Sequence, residues 1–129
     1  MLHVADVTTI PLIPRPSYEA MIVRGHPRAE GRILSLSADG RTARVVWRGT
    51  PGAYAFRPDP EVVDVGYIVS GRLAIHQAGQ PTRQLGPGSL IEFPRTPFEM
   101  EITETFTKVS FLYHPTGLKA TAEPLPAAS

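Results

Sequence analysis

The stretch from Asp59 to Pro94 reads DPEVVDVGYIVSGRLAIHQAGQPTRQLGPGSLIEFP. Short apolar runs alternate in it with turns built from Gly, Pro and Ser, a pattern typical of short β-strands. An acidic residue stands seven positions before a glycine (Asp64 and Gly71), and a glycine stands six positions before a proline (Gly88 and Pro94). This spacing of strands and turns predicts the fold and carries less information about the reaction.

The composition of the 129-residue chain limits the kinds of protein that it can be. This length corresponds to one domain. The net charge is +1 and no run of Lys or Arg is present. The sequence therefore lacks the basic patch that a nucleic-acid-binding protein uses to contact phosphates. No apolar run approaches the ~20 residues of a membrane-spanning helix, and the N-terminus lacks the basic and apolar regions of a signal peptide. Because cysteine is absent as well, we expect a cytoplasmic domain whose partners are neither nucleic acid nor membranes.

Turn residues divide the chain into many short strands. Residues 32–36 and 42–47 are predicted to form a hairpin around Ala38-Asp39-Gly40. Ser70-Gly71 is predicted to be a two-residue turn that reverses the chain between two strands. The other predicted strands are 53–56, 62–69, 72–77, 82–85, 90–93, 98–102 and 106–113. No stretch of ten residues shows a helical period, so the pattern indicates an all-β sandwich or barrel.

Three regions are predicted along the chain. Residues 1–30 form an N-terminal arm with edge strands, because three prolines between Ile10 and Pro16 exclude a helix and a central strand there. Residues 31–114 form the β-barrel. Residues 115–129 form a flexible C-terminal tail, since they show no periodicity.

Residues 47–113 resemble a cupin, in the small single-domain group related to ureidoglycine aminohydrolases and ethanolamine-utilisation cupins. The resemblance implies a double-stranded β-helix, or jelly-roll barrel, which is commonly a homodimer. Three features carry it: Trp47 followed by Thr50-Pro51-Gly52 before a strand, the spacing from Asp64 to Gly71, and LGPGSLIEFP (residues 85–94) followed by Lys108 at the start of the last strand.

The same resemblance shows where this chain departs from the cupin metal motif. The first cupin motif normally supplies His-x-His and then Glu, and the matching positions here hold Arg57-Pro58-Asp59 and then Asp64. The second motif normally supplies a His at the position of Glu99. A metal site built from imidazole ligands is therefore not expected.

Two interpretations of the remaining charged residues stay open. In the first, Asp59, Asp64 and Glu99 hold a hard cation such as Mg²⁺ or Ca²⁺ through oxygen ligands. In the second, no metal or other cofactor is bound, and Asp64 or Glu99 acts as a general acid or base. Arg57 or Lys108 would then hold an anionic group of the substrate. Arg57 favours the second interpretation, because a guanidinium competes with a cation for the same carboxylates.

Other side chains on the barrel strands complete the predicted site. The residues expected to contact a small-molecule substrate are Asp59, Tyr67, Tyr54, Phe56 and Met100. The resulting hypothesis is a metal-independent enzyme of the isomerase, cyclase, lyase or hydrolase type. The alternative is a non-catalytic small-molecule-binding or structural cupin, because one fold hosts many functions. The Pro-rich arm is expected to pack across a partner in a homodimer.

Overall fold

The structure is a computed structural model that describes residues 5–123 and residue 125. In this part of the chain, nine β-strands and one short 3₁₀ helix follow one another, so the all-β prediction is confirmed. No helix of the described chain is long and apolar enough to cross a membrane. The strands are β1 (Ile13–Pro14), β2 (Ile22–Arg24), β3 (Ala29–Leu36), β4 (Thr42–Gly49), β5 (Gly52–Phe56), β6 (Val63–His76), β7 (Arg83–Leu85), β8 (Leu90–Glu92) and β9 (Phe98–Tyr113), and the 3₁₀ helix is Pro16–Met21.

The long strand β9 is the centre of the sheet. Along one edge, it pairs antiparallel with β5 through Phe98–Ile102 and with β4 through Phe106–Tyr113. Along the other edge, it pairs antiparallel with β6, from Val63 opposite Tyr113 to His76 opposite Glu99. The outer edge of β6 pairs with β8 and then with β7. The antiparallel sheet curls into a jelly-roll barrel, as the sequence predicts.

The chain does not reverse at Ser70-Gly71, and the predicted turn there is wrong. Instead, β6 continues through Gly71 as one strand, and the register with β9 shifts on either side of Ser70 and Arg72. The predicted break in β9 at residues 103–105 is wrong for the same reason, since β9 is also continuous. A glycine and turn-forming residues are as compatible with a bend inside a strand as with a hairpin. Only the partner strand decides between the two.

Gly71 brings the two long strands unusually close together at this bend. Its φ is +85°, and a Cβ atom built on it would lie 2.1 Å from the Thr105 carbonyl oxygen and 2.4 Å from the Phe106 Cα atom. Only a glycine combines this backbone angle with such a close approach. The bend therefore depends on Gly71, and it turns the second halves of β6 and β9 around the barrel.

The inward-facing side chains of the strands form one aromatic and aliphatic core. Its most deeply buried large members include Tyr54, Ile68, Leu73 and Phe106. Alternation along β4 places Ala43 and Trp47 on this inner face. The 3₁₀ helix adds Tyr18 and Met21 to the edge of the core.

Both ends of the described chain lie along the barrel of the same chain. In the arm, β1 pairs with β3, and the backbone N–H of Arg15 donates to the carbonyl oxygen of Ala29. In the C-terminal segment, Glu123 forms an ion pair with Arg15 and accepts a hydrogen bond from the Ile33 backbone N–H at 2.9 Å. Residues 124 and 126–129 of the predicted flexible tail lie outside the described residues. The described arm and segment therefore pair along the edge of β3.

Candidate functional site

A cavity of about 250 Å³ opens at one end of the barrel, between the 3₁₀ helix, β5, β6 and β9. Its volume is near the lower end of the range for small-molecule pockets, which begins at about 300 Å³. Five aromatic side chains line it: Tyr18, Trp47, Phe56, Phe93 and Phe98. Its charged lining groups are Asp59, Asp64 and Lys108, and no histidine lines it. The cavity is therefore a mainly apolar space with one cation and two carboxylates.

The deepest polar feature of the cavity is the pair Asp64 and Lys108. Strand alternation directs both side chains inward, with Asp64 on β6 and Lys108 on β9. Lys108 Nζ donates to Asp64 Oδ2 over 3.3 Å. The other oxygen, Asp64 Oδ1, is buried and has no hydrogen-bond partner among the described residues. A buried carboxylate oxygen without a donor costs free energy, so it marks a place where a ligand can supply one.

Aromatic rings hold the other side of the Lys108 ammonium group. Its Nζ atom lies 4.3 Å from the centroid of the Phe93 ring and 6.0 Å from that of Trp47. The negative faces of these rings attract the cation. The ammonium group is thus fixed between a carboxylate and two rings, and it faces the apolar part of the cavity.

Tyr18 closes the cavity beside Asp64, and no pattern in the sequence predicts it there. Its ring packs against Trp47, Tyr54 and Phe56, with centroid distances of 5.5, 6.1 and 6.0 Å. Burial raises the pKa of the Tyr18 hydroxyl, and the negative charge of Asp64 raises it further. The phenol therefore stays protonated at neutral pH and offers a hydrogen-bond donor. No periodicity marks Tyr18 in the sequence, because a short 3₁₀ helix after a Pro-rich arm carries none.

Several predicted substrate contacts do lie at the cavity. Phe56 and Met100 are part of its wall, and Asp59 is exposed at its rim. Tyr54 is fully buried behind the wall, where its ring packs against Tyr18 and Trp47. Tyr54 therefore shapes the cavity from behind and does not line it.

Three predicted site residues lie away from the cavity. Glu99 is on the outer face of β9, because the inward positions on either side of it are Phe98 and Met100. Tyr67 is on the outer face of β6 and is exposed. Arg57 is exposed in the loop after β5 and does not line the cavity. The predicted meeting of Asp64 with Glu99 and Arg57 does not occur in the structure.

Glu99 instead pairs with Arg24 on the outside of the barrel. Arg24 donates from Nη1 to Oε1 over 3.1 Å and from Nη2 to Oε2 over 2.6 Å. These hydrogen bonds from Arg24 hold the pKa of Glu99 below its usual value. The same surface carries His76, whose Nε2 atom lies 3.0 Å from Glu101 Oε1. Glu99 thus forms a surface ion pair that links β9 to Arg24 on β2.

A second group of ionisable residues lies at the rim of the cavity. The Nε2 atom of His114 is 3.3 Å from Asp59 Oδ2 and 3.4 Å from Glu61 Oε2. The three ligand atoms lie close enough together to be considered as a metal site. Neither Glu61 nor the close approach of His114 is predicted from the sequence, since Glu61 lies in the loop between β5 and β6 and His114 follows β9.

The protonation of His114 does not fit a metal ion at this rim. The backbone N–H of Thr116 donates to His114 Nδ1 over 3.1 Å, so the ring proton of the neutral imidazole is on Nε2. A metal-bound histidine has the opposite arrangement, with its free nitrogen donating a proton to a neighbour. Nε2–H instead suits the two carboxylates that face it. Inside the cavity, the ammonium group of Lys108 beside Asp64 is equally unsuited to a divalent cation.

An antiparallel barrel of this topology, with a mainly apolar cavity at one mouth, defines a protein of the jelly-roll cupin class. A family model for the EutQ-like cupin domain matches residues 36–110, and the chain belongs to that family. No curated protein matches the chain in sequence.

Solved structures share the fold at low sequence identity. The Clostridium difficile EutQ protein has a TM-score of 0.59 at 14% identity, over 68% of this chain and 64% of that chain. Ectoine synthase from P. lautus has a TM-score of 0.60 at 18% identity, over 69% of this chain and 66% of that one. The cupin domain of an XRE family transcriptional regulator from Enterobacter cloacae has a TM-score of 0.57 at 16% identity, over 67% and 97% of the two chains. This chain thus matches less than two thirds of the EutQ chain, and likeness at these identities shows the fold alone.

Proposed function

We propose that this protein is a metal-independent enzyme that moves a proton on a small organic molecule bound in the barrel cavity. The observation that carries the proposal is Asp64 Oδ1, a buried carboxylate oxygen that has no hydrogen-bond partner among the described residues and lies against an apolar cavity. A base without a competing donor is ready to accept a proton from a substrate. Perturbed or unpaired ionisable groups in a cavity are typical of functional sites.

The lining of the cavity defines the class of substrate. Aromatic walls favour a compact apolar or ring-containing body. Lys108, the one cation among the described lining residues, favours a carbonyl or carboxylate oxygen at its end of the cavity. A small carbonyl compound or carboxylic acid with an acidic C–H bond satisfies both requirements.

The geometry supports one sequence of proton transfers. Lys108 binds the carbonyl oxygen of the substrate, and Asp64 Oδ1 accepts the proton from the neighbouring carbon. The C–H electron pair moves into the carbonyl group, and the negative charge that forms on its oxygen is stabilised by the Lys108 ammonium. Tyr18, protonated at neutral pH, donates a hydrogen bond to the substrate. Return of the proton to another carbon gives isomerisation, and loss of a leaving group gives elimination.

Two arrangements support metal independence. A divalent cation beside Asp64 would be repelled by Lys108 Nζ, which is 3.3 Å from Oδ2. At the rim, Nε2 of His114 carries a proton and is a donor. Elemental analysis of the purified protein is expected to find no transition metal at a molar equivalent. A stoichiometric metal would contradict this part of the proposal.

Deuterium incorporation tests the proposed proton transfer without knowledge of the physiological substrate. The protein is incubated in D₂O with a panel of 2-oxo acids and cyclic ketones, and loss of the C–H signal beside the carbonyl is followed by proton NMR. We expect the wild type to accelerate exchange in at least one compound and Asp64→Asn to slow it by about 100-fold or more. Glu99→Gln is the matched control, because it removes a carboxylate on the outer face. Equal rates of C–H exchange with the wild type and with Asp64→Asn would contradict the proposal.

The apolar character of the cavity favours a second candidate, a small-molecule-binding module without catalysis. The similar fold of a transcriptional regulator's cupin domain is compatible with such a role. In that case, a compound from the panel would raise the melting temperature of the protein and remain unexchanged. Asp64→Asn and Lys108→Met would then change the affinity alone.

A further inference from the structure

Lys108, the cation at the cavity, is one of only two lysines in a chain that has 13 basic residues. The other eleven are arginines, and the second lysine, Lys119, is exposed in the segment after β9. A guanidinium supplies a fixed positive charge as well as an ammonium group does. A lysine amine can also lose a proton and then form a bond to carbon. The side chain at the cavity is therefore of the type that can react covalently with a substrate.

Apolar groups surround the end of the Lys108 side chain. The side chain is 12% exposed, and its Nζ atom lies 4.3 Å from the centroid of the Phe93 ring and 6.0 Å from that of Trp47. An imine is hydrolysed by water, and a site that excludes water protects such an intermediate. The faces of the rings attract an iminium cation as they attract an ammonium group. The surroundings of Nζ therefore suit a carbon–nitrogen double bond.

Asp64 is placed to carry the protons that bond formation releases. Its Oδ2 atom accepts a hydrogen bond from Lys108 Nζ over 3.3 Å. Its Oδ1 atom is buried and has no hydrogen-bond partner among the described residues. A nucleophilic amine needs a base within hydrogen-bond reach, and this carboxylate is that base.

We infer that Lys108 forms an iminium ion with the carbonyl carbon of an aldehyde or a ketone in the barrel cavity. The inference rests on the proposed function, since it requires a carbonyl compound bound with its C=O group at Lys108. It also narrows the substrate class. Aldehydes, ketones and 2-oxo acids form imines with amines in water, whereas a simple carboxylic acid does not.

The step balances with groups that line the cavity. The Lys108 ammonium group transfers a proton to Asp64 Oδ2, and the neutral amine attacks the carbonyl carbon while the C=O π electrons move to the oxygen. Two of the three ammonium protons pass by way of the Asp64 carboxylate to that oxygen, which leaves as water. The nitrogen lone pair closes the C=N bond, and one proton stays on the nitrogen. The products are an iminium cation, a water molecule and the original carboxylate.

The iminium ion makes the proposed proton transfer easier. After water has left, Asp64 is again a carboxylate and accepts the proton from the carbon beside the C=N bond. The C–H electron pair then moves into the iminium group and neutralises its charge, so no negative charge forms on oxygen. Tyr18, which lines the cavity and is protonated at neutral pH, donates a hydrogen bond to the departing oxygen.

Reductive trapping with sodium cyanoborohydride tests the covalent bond directly. The protein is incubated at neutral pH with pyruvate, cyclohexanone or benzaldehyde, and adducts are located by peptide mass spectrometry. We expect Lys108 to gain the mass of the probe less its oxygen atom, in about tenfold or greater excess over Lys119. The excess is expected although Lys119 is the more exposed amine. Benzaldehyde has no C–H bond on a carbon beside its carbonyl group that can exchange, so it reports on bond formation alone.

Lys108→Arg is the informative variant, because it keeps the positive charge and removes the amine. We expect total adduct to fall to the level formed on Lys119, and deuterium exchange of cyclohexanone to slow by about 10-fold or more. A role for the charge alone predicts instead that exchange persists in this variant. Lys119→Arg is the matched control and leaves both trapping at Lys108 and exchange unchanged. Circular dichroism confirms that each variant is folded.

The outcomes separate this inference from the proposed function. Deuterium exchange without an adduct on Lys108 would overturn the inference and leave the proton transfer intact, with the ammonium group binding the carbonyl oxygen. An adduct on Lys108 without exchange would support the covalent bond and contradict the proposed proton transfer. Equal yields of adduct on Lys108 and Lys119 would show only the reactivity of any surface amine and would overturn the inference.

Discussion

Lys108 Nζ lies 3.3 Å from Asp64 Oδ2 inside the barrel, and the same ammonium group lies 4.3 Å from the centroid of the Phe93 ring. The pair joins the two longest strands, β6 and β9, at the cavity. It leaves Asp64 Oδ1 without a donor from the part of the chain that the structure describes. A structural ion pair would be expected to satisfy both carboxylate oxygens, so the arrangement supports a role in binding or catalysis.

The interaction energy between Asp64 and Lys108 can be measured from the free energies of unfolding of single and double variants. Lys108→Met is expected to reduce the free energy of unfolding by about 1–3 kcal/mol at neutral pH, because the Asp64 carboxylate loses its partner in a mostly buried place. Asp64→Asn/Lys108→Met is expected to recover part of that loss, because the uncompensated charge is gone. Urea denaturation of the single and double variants gives the coupling energy. Additive effects would show that the two groups act independently.

Tyr18 is expected to ionise at a higher pH than a free tyrosine. Burial and the charge of Asp64 raise the pKa of its phenol above the ordinary value of 10.0, so the folded state holds this proton more tightly than the unfolded state. This contribution to stability is present below pH 10.0 and is lost as the pH rises through the higher folded value. Ultraviolet titration of the wild type and Tyr18→Phe checks it: the variant should lack a late-titrating phenol. A titration curve without that difference would contradict the predicted shift.

Gly71→Ala is expected to cost about 3 kcal/mol or more in the free energy of unfolding. The new Cβ would lie 2.1 Å from the Thr105 carbonyl oxygen, and the backbone would keep a positive φ of +85°. Gly79→Ala is the matched control, because Gly79 has a φ of +76° and open space around its Cβ position. The control should cost only about 1–2 kcal/mol, for the left-handed backbone alone. Thermal or urea unfolding measures both losses. Similar losses in the two variants would show that the close approach of β6 to β9 at Gly71 adds no cost of its own.

The ion pair of Glu99 with Arg24 is expected to contribute to stability at neutral pH and not at low pH. Arg24 lowers the pKa of Glu99 below its ordinary 4.5, so the stabilisation is present above that value and is lost as the pH falls through the lower folded pKa. Glu99→Gln should therefore be less stable than the wild type at pH 7 and equal to it in strong acid. Glu104→Gln, at an exposed carboxylate without an ion pair in the described chain, is the control. A loss of stability by Glu99→Gln that is the same at both pH values would contradict the assignment.

Part of the site could be predicted because the cupin resemblance places residues of distant strands at matching positions. Asp64 and Lys108 lie at the cavity, where the resemblance placed them, and Phe56 and Met100 line it as expected of side chains on the barrel strands. Glu99 was placed in the site by the same resemblance, but its neighbours Phe98 and Met100 occupy the inner face and Glu99 lies on the outer one. Tyr18 and His114 were not identified, because their approach to the cavity depends on how the arm and the end of β9 pass the barrel mouth.

The sequence by itself determined the class of fold, through apolar runs, turn residues and the two spacings that end at Gly71 and Pro94. It also determined which chemical groups are present at the positions of the cupin motifs. Only the tertiary structure decided that Gly71 bends one continuous strand and does not end a hairpin, since that depends on β9 running beside both halves of β6. It likewise decided that Asp64 meets Lys108 and not Glu99, because a contact between distant strands depends on their register and on the face that each side chain occupies.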